Sequence, residues 1–372
     1  KKGAVIMIQI KIGNIFESDK EVLVNTVNCV GVMGKGIAKT YKEKFPKMFE
    51  EYKNLCIKKE ITPGKAYPYY ENGKVRILNF PTKQHWRSPS KLEYITNGLD
   101  WFVQNYQELG IKSIAFPPLG CGNGGLDWKT VGPVMYQKLS KLPIDIDIYA
   151  PFGTSKEYLT SKYLLNEDIQ IQDTGIINEP INKNWLLVLQ LVKHLSHSKY
   201  SIKVGRTIFQ KICYVLSRYG TDLGLKFVKG TYGPYSSEIK KMITILSNHN
   251  LIIEKEYGQM ILLTVNNNFK INPNDYSPED KDNVNKTFRL FQRIKDTEQA
   301  ELITTILFSY DQLNLQNNTI TENSLFNYII NWKKRYNTDE YEKRIRELSK
   351  NLTSMGLINV DYSHDFKEYD FI

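Results

Sequence analysis

The chain has 372 residues, more than one domain of ordinary size holds, so two domains are expected. Hydrophobic residues at 41% and charged residues at 24% are a normal globular balance and exclude an intrinsically disordered chain. The formal net charge is +10, and residues 1–155 hold 22 Lys and Arg against 14 Asp and Glu, so most of the basic excess sits in the first half and suits an anionic partner such as a phosphodiester. Cys29, Cys56, Cys121 and Cys213 lie far apart, with no C-x-x-C pair and no His at metal-ligand spacing. A reduced, cytoplasmic protein without a metal site is expected. No run of about eighteen apolar residues occurs, the start carries no signal-peptide pattern, and Met7 would make a natural start.

In chain order, the first 155 residues alternate strand-like and helix-like stretches. Ala4–Ile12, Val22–Val27, Lys74–Phe80, Ser113–Phe116 and Ile144–Ala150 read as short strands. Across residues 92–109 the apolar residues Leu92, Ile95, Leu99, Phe102, Val103, Tyr106 and Leu109 recur every three or four positions, which predicts one buried helix face stopped by Gly110. This alternation predicts an α/β fold, a mixed, mostly parallel sheet covered by helices, with ligands on loops at the carboxyl ends of strands. Residues 156–182 read as a linker. From Trp185 the chain turns helix-rich: Trp185–Leu195 and Ile208–Tyr219 as helices, a Gly/Pro turn at 228–236, then helix Ser237–Leu246 and strand Leu251–Lys255. Residues 272–283 read as a loop, three further helices follow to residue 350, and Gly356 stops the last before an alternating tail. The expectation for 183–372 is a mostly helical domain with winged-helix-like features.

Three loops carry the chemistry. VNTVNCVGVMGKGIAK delivers Asn25 and Asn28 from a strand, then opens a helix through Gly31, Val32, Met33, Gly34, Lys35 and Gly36. Glycines allow positive φ and close backbone approach, and a helix N-terminus offers N–H groups to an anion, so a diphosphate fits; the same pattern also serves as a plain turn. No Ser or Thr follows the GKG at P-loop spacing. After Ser113–Phe116 comes PPLGCGNGG, where Leu119, Gly120, Cys121, Gly122, Asn123 and Gly124 form a second permissive loop. Between them NFPTKQHWRS follows Lys74–Phe80, with Pro81 ending the ladder and Lys83 near the same rim. Burial there, with Arg87 nearby, favours a neutral, nucleophilic amine, and bound phosphates act the other way. His85, Trp86 and Arg87 read either as a lip for nucleic acid or as packing beneath the loop. Cys121 lacks a His or Asp partner and reads as a small loop residue. Tyr67, Tyr69 and Tyr70 read as packing residues.

Together, VNTVNCVGVMGKGIA, NFPTKQHWRSPS and PPLGCGNGGLDW resemble the macrodomain of the DarG family, the antitoxins of DarT–DarG toxin–antitoxin systems, over about residues 7–150. The resemblance implies a DNA ADP-ribosyl glycohydrolase that takes ADP-ribose off thymidine bases of single-stranded DNA modified by DarT, with no cofactor. It implies Lys83 as the catalytic lysine and the two glycine loops as the cradle of the diphosphate and its ribose. Asn14 and Ile15 match the family's adenine-side Gly-Asp-Ile segment, with Asn14 in place of Asp, and Asn28 matches the asparagine near the reacting ribose. Related lysine-using hydrolases have an Asp where this chain has Gly124, and Asp127 reads as the N-cap of the helix at Trp128. In the second half, IFQKICYVLSRYG and LKFVKGTYGPYSSEIKKMI resemble Panacea or SocA-like antitoxin domains, which implies that residues 183–372 bind the DarT toxin. The alternatives are a hydrolase or reader of ADP-ribosylated protein, or a winged-helix regulator of duplex DNA.

Overall fold

In a computed structural model the chain is described over residues 8–165, 180–198, 201–258, 260–316 and 319–362. Residues 4–7 of the first expected strand, 166–179 of the expected linker and 363–372 of the expected tail lie outside the described residues. The chain divides into two compact units, Lys1–Pro180 with Lys240–Leu251, and Ile181–Ile239 with Ile252–Ile372. Among the described residues, no helix is long and apolar enough to cross a membrane.

The first unit runs β1 (Ile8–Lys11), β2 (Val22–Val27), α1 (Gly36–Lys44), α2 (Pro46–Ile57), β3 (Tyr67–Glu71), β4 (Lys74–Pro81), α3 (Leu92–Asn105), β5 (Ser113–Phe116), α4 (Trp128–Leu139), β6 (Asp145–Tyr149) and α5 (Ser161–Leu164). The sheet order is β1-β6-β5-β2-β4-β3, with every pairing parallel except β3 on β4. Strand alternation sorts the core into two layers. Val22 and Val24 face Leu78, Phe80, Ile114 and Phe116 beneath α3 and α4. Leu23, Val27, Ile77 and Ala115 face Tyr41, Met48 and Tyr52 of α1 and α2. Leu92, Ile95, Leu99 and Phe102 form the buried stripe of α3, as their spacing predicts. Asp127 caps α4, accepting from the Lys129 amide at 3.0 Å. Strand β3 and helix α2 were not foreseen. Pro68 argues against a strand, and it fits because β3 is an edge with only one neighbour. Tyr69 packs in the core, whereas Tyr70 is half exposed.

The remaining elements are α6 (Trp185–His197), α7 (Arg206–Arg218), β7 (Val228–Gly230), β8 (Gly233–Tyr235), α8 (Glu238–Asn248), β9 (Ile252–Tyr257), β10 (Met260–Val265), α9 (Pro278–Phe291), α10 (Thr297–Asn314), α11 (Glu322–Trp332) and α12 (Asp339–Ser354). From Lys240 on, α8 belongs to the first unit. Apart from it the second unit is helical, with two short antiparallel hairpins, β7–β8 and β9–β10. The expected Gly/Pro turn at 228–236 is thus a hairpin, turned by Thr231 and Tyr232 with Gly233 at φ +90°. Residues 272–283 are not a loop throughout. Ser277 accepts from the Asp280 amide at 3.0 Å and Pro278 takes the first helical position, so α9 begins inside that polar stretch. After Gly356 one bridge, between Asp361 and Thr321, stands where an alternating tail was expected.

Candidate active site

The carboxyl ends of β2, β4 and β5 deliver the three loops to one rim. Asn28, at the end of β2, works inside the first loop. Its Oδ1 accepts from the amides of Val30 at 3.0 Å and Val32 at 3.3 Å, and its Nδ2 donates to the Val32 carbonyl at 2.5 Å. From α2, the Tyr52 hydroxyl donates to the Asn28 carbonyl at 2.7 Å, and burial pushes that phenol's pKa far above the ordinary range, so it stays a donor. Asn25 is wholly buried, donates to Asn79 Oδ1 at 3.0 Å across β2 and β4, and lies under Met33. Both asparagines therefore hold the loop from beneath. Its outer edge is exposed at Val32, Gly34, Lys35 and Gly36. There α1 starts without a side-chain cap, leaving its first N–H groups for an anion.

Lys83 follows β4 and is 9% exposed. Three bonds zip its loop to the first one: the Thr82 amide to Val27 at 3.0 Å, the Cys29 amide to Gln84 at 3.0 Å and the Cys29 thiol to the Lys83 carbonyl at 3.3 Å. The ammonium Nζ donates to the Asn123 carbonyl of the second loop at 2.6 Å. Gly36 of the first loop, at φ +59°, also faces Asn123: a Cβ there would sit 3.0 Å from Asn123 Nδ2. All three motifs thus converge on Asn123. The structure brings together Lys83, the Gly34–Gly36 edge and the exposed Gly122–Asn123 tip.

The second loop is packed tightly under that tip. The Gly124 carbonyl accepts from the Ser90 amide at 2.9 Å. A Cβ at Gly124 would collide with the Gly120 carbonyl and Ser90 Oγ, so this backbone has no room for the Asp of related hydrolases. Asp127 is occupied as a cap. Burial raises the Cys121 thiol pKa and lifts that of Cys29 to about 12, so neither is a ready nucleophile. Leu119 is buried in the core below.

His85 and Trp86 stack at 5.5 Å, the Arg87 guanidinium lies 4.5 Å from the Trp86 ring, and Trp86 is 45% exposed. After β1, exposed Asn14 accepts from the Phe16 amide at 3.1 Å and donates to Glu17 at 3.3 Å, while Ile15 is buried. Sequence reasoning missed Tyr52, Ser90 and the fully buried Asp147, which accepts from Lys11 at 2.6 Å and Ser18 at 3.1 Å. Only the repeated Asp of DID in β6 gave a signal for Asp147; Tyr52 and Ser90 gave none.

Residues 24–135 match the family model described as Macro domain. The chain is 36% identical over 250 residues to a DNA ADP-ribosyl glycohydrolase of Mycobacterium tuberculosis, covering 64% of this chain and 66% of that protein. It is 42% identical over 174 residues to a DNA ADP-ribosyl transferase-DNA ADP-ribosyl glycohydrolase fusion protein of Thermosipho africanus, covering 41% and 45%. The chain therefore spans just under two thirds of the first relative and less than half of the second. Among solved structures it is similar to the macrodomain of Mycobacterium tuberculosis DarG, 48% identical, covering 39% of this chain and 99% of that one, with a TM-score of 0.38. Residues 24–135 therefore carry a macrodomain, in a chain similar over 64% of its length to a DNA ADP-ribosyl glycohydrolase.

Proposed function

We propose that residues 1–155 form a DNA ADP-ribosyl glycohydrolase that releases ADP-ribose from thymidine bases of single-stranded DNA, and that residues 183–372 bind the DarT toxin. The observation that carries the first part is the Lys83 Nζ held 2.6 Å from Asn123, between two glycine-rich loops. The diphosphate lies on the α1 N-terminus and the Gly120–Gly124 loop, with the Gly31–Gly36 loop around it. The anomeric C1″ then faces Lys83. In one role Lys83, after its ammonium gives one proton to water, attacks C1″ as the neutral amine; the bond to the thymine nitrogen breaks, and that nitrogen takes a proton from the secondary ammonium just formed. Water then displaces the lysine and frees ADP-ribose. In the other role Lys83 orients the sugar and stabilises charge while water attacks directly. The exposed Trp86 and Arg87 offer a ring and a cation to the strand beside the modified base.

The test is release of ADP-ribose from a thymidine-ADP-ribosylated single-stranded oligonucleotide. Lys83→Ala is expected to reduce turnover at least about a thousandfold. Mass-spectrometric trapping of a lysine–ribose adduct selects the covalent role. Unchanged turnover in Lys83→Ala removes both, and release from modified protein alone moves the substrate from DNA to protein. The toxin half is tested by co-purification of DarT with the full chain.

A further inference from the structure

The second unit holds charge chemistry that the glycohydrolase reading does not use. Glu301 on α10 is buried and one of its oxygens accepts from Lys333 Nζ at 2.5 Å, from the Tyr336 hydroxyl at 2.6 Å and from Arg335. Lys211 of α7 lies nearby, 2% exposed, and donates to the Pro234 carbonyl at 2.9 Å. Lys333 donates to the Thr231 carbonyl at 2.6 Å. Two buried lysines therefore fix the β7–β8 hairpin, one at strand β8 and one at the turn. Two cations, Lys333 and Arg335, meet one carboxylate, and burial, with Lys333 beside it, lowers the Lys211 amine to about 7 against the opposing pull of Glu301.

In front of this hairpin is a hollow of about 420 Å³ lined by Gly230, Thr231, Trp332, Lys333, Lys334 and Arg335. Half of those residues are cationic and none is acidic. Its volume falls in the range of small-ligand sites. Aromatic rings flank it. Tyr232, at the hairpin tip, is 61% exposed and lies 5.7 Å from the Arg335 guanidinium. Trp332 lies 5.8 Å from Lys229 Nζ, which also sits 4.0 Å over Tyr328.

We propose that this hollow binds a nucleotide phosphate, with Tyr232 and Trp332 as ring surfaces for the base, so that the second unit makes its own contact with single-stranded nucleic acid. Cations interleaved with rings are what a phosphate and its base require together. An acidic peptide uses the cations and leaves the rings idle. The rigid hairpin matters because a pre-set pocket loses little freedom on binding. No residue of this site is shared with the Lys83 site, so either reading can fail alone.

The experiment is fluorescence anisotropy of a labelled oligothymidylate of about twelve nucleotides, a length within the span of single-strand binding sites, titrated with the full-length chain. Tyr232→Ala and Lys334→Glu both alter exposed side chains. Each is expected to raise Kd about fivefold or more, and Lys334→Glu to flatten the salt dependence by about one ion. Thermal unfolding and affinity for free ADP-ribose stay unchanged. Thymidine monophosphate competing as well as the unlabelled oligonucleotide assigns a free nucleotide; much tighter competition by the oligonucleotide assigns the strand. Equal Kd in wild type and both variants overturns the proposal, as does displacement by polyglutamate at lower concentration than by oligonucleotide.

Discussion

Asn28 shows how one side chain shapes the first glycine loop without presenting itself to solvent. Its amide makes three hydrogen bonds to the loop backbone and its carbonyl takes the Tyr52 hydroxyl. Asn28→Ala leaves buried backbone groups unpaired and is expected to cost about 2–3 kcal/mol, read by chemical unfolding, with weaker binding of ADP-ribose by calorimetry. Gly124→Asp is the second residue-scale prediction. The Cβ has no space beneath Gly120, so the substitution is expected to cost about 2–4 kcal/mol and to abolish turnover; a faster enzyme would contradict the geometry. Lys83 and both glycine loops were legible in the sequence, because their residue types are contiguous and specific. The support given by Asn28 was not. Its partners include Tyr52 from α2, and nothing local in VNTVNCVGV announces a helix twenty residues on.

At the scale of elements, the β7–β8 hairpin depends on lysines buried behind it. The folded state lowers the Lys211 amine from 10.5 to about 7, because burial penalises its charge. Between about pH 7 and 10.5 the unfolded chain therefore holds a proton that the folded chain lacks. Stability contributed by this group rises with pH across that window, by up to about 1.4 kcal/mol per unit, and is flat below it. Thermal unfolding of wild type compared with Lys211→Met from pH 6.5 to 9 is expected to show that rise in wild type alone. Helix spacing was readable here, since α6 and α7 lie where the apolar periodicity puts them. Strand β9 was readable as well, but the β7–β8 hairpin was not, because three-residue strands rich in Gly and Pro carry turn chemistry and gain their pairing from the helices around them. The start of α9 was hidden by its composition: NPNDYSPEDKDN is polar enough for a loop, yet it holds a cap, a proline and acidic residues suited to a helix N-terminus.

At the scale of the molecule, charge is unevenly shared: residues 1–155 carry 22 basic against 14 acidic residues, and the remainder 28 against 26. On the proposed function, release of counterions from a bound strand therefore falls mainly to the half that holds Lys83. Turnover of an ADP-ribosylated oligonucleotide is expected to drop about tenfold or more between about 50 and 200 mM salt, whereas affinity for free ADP-ribose falls much less. Equal slopes for both would place the strand off the basic surface. The three bonds that zip the Lys83 loop to the first glycine loop have a mechanical consequence. Those two segments are tied to each other, whereas the Gly122–Asn123 tip is exposed and joined to them through the Lys83–Asn123 bond. On the proposed function, the amine's tie to Asn123 is the bond a ligand has to displace to reach Lys83.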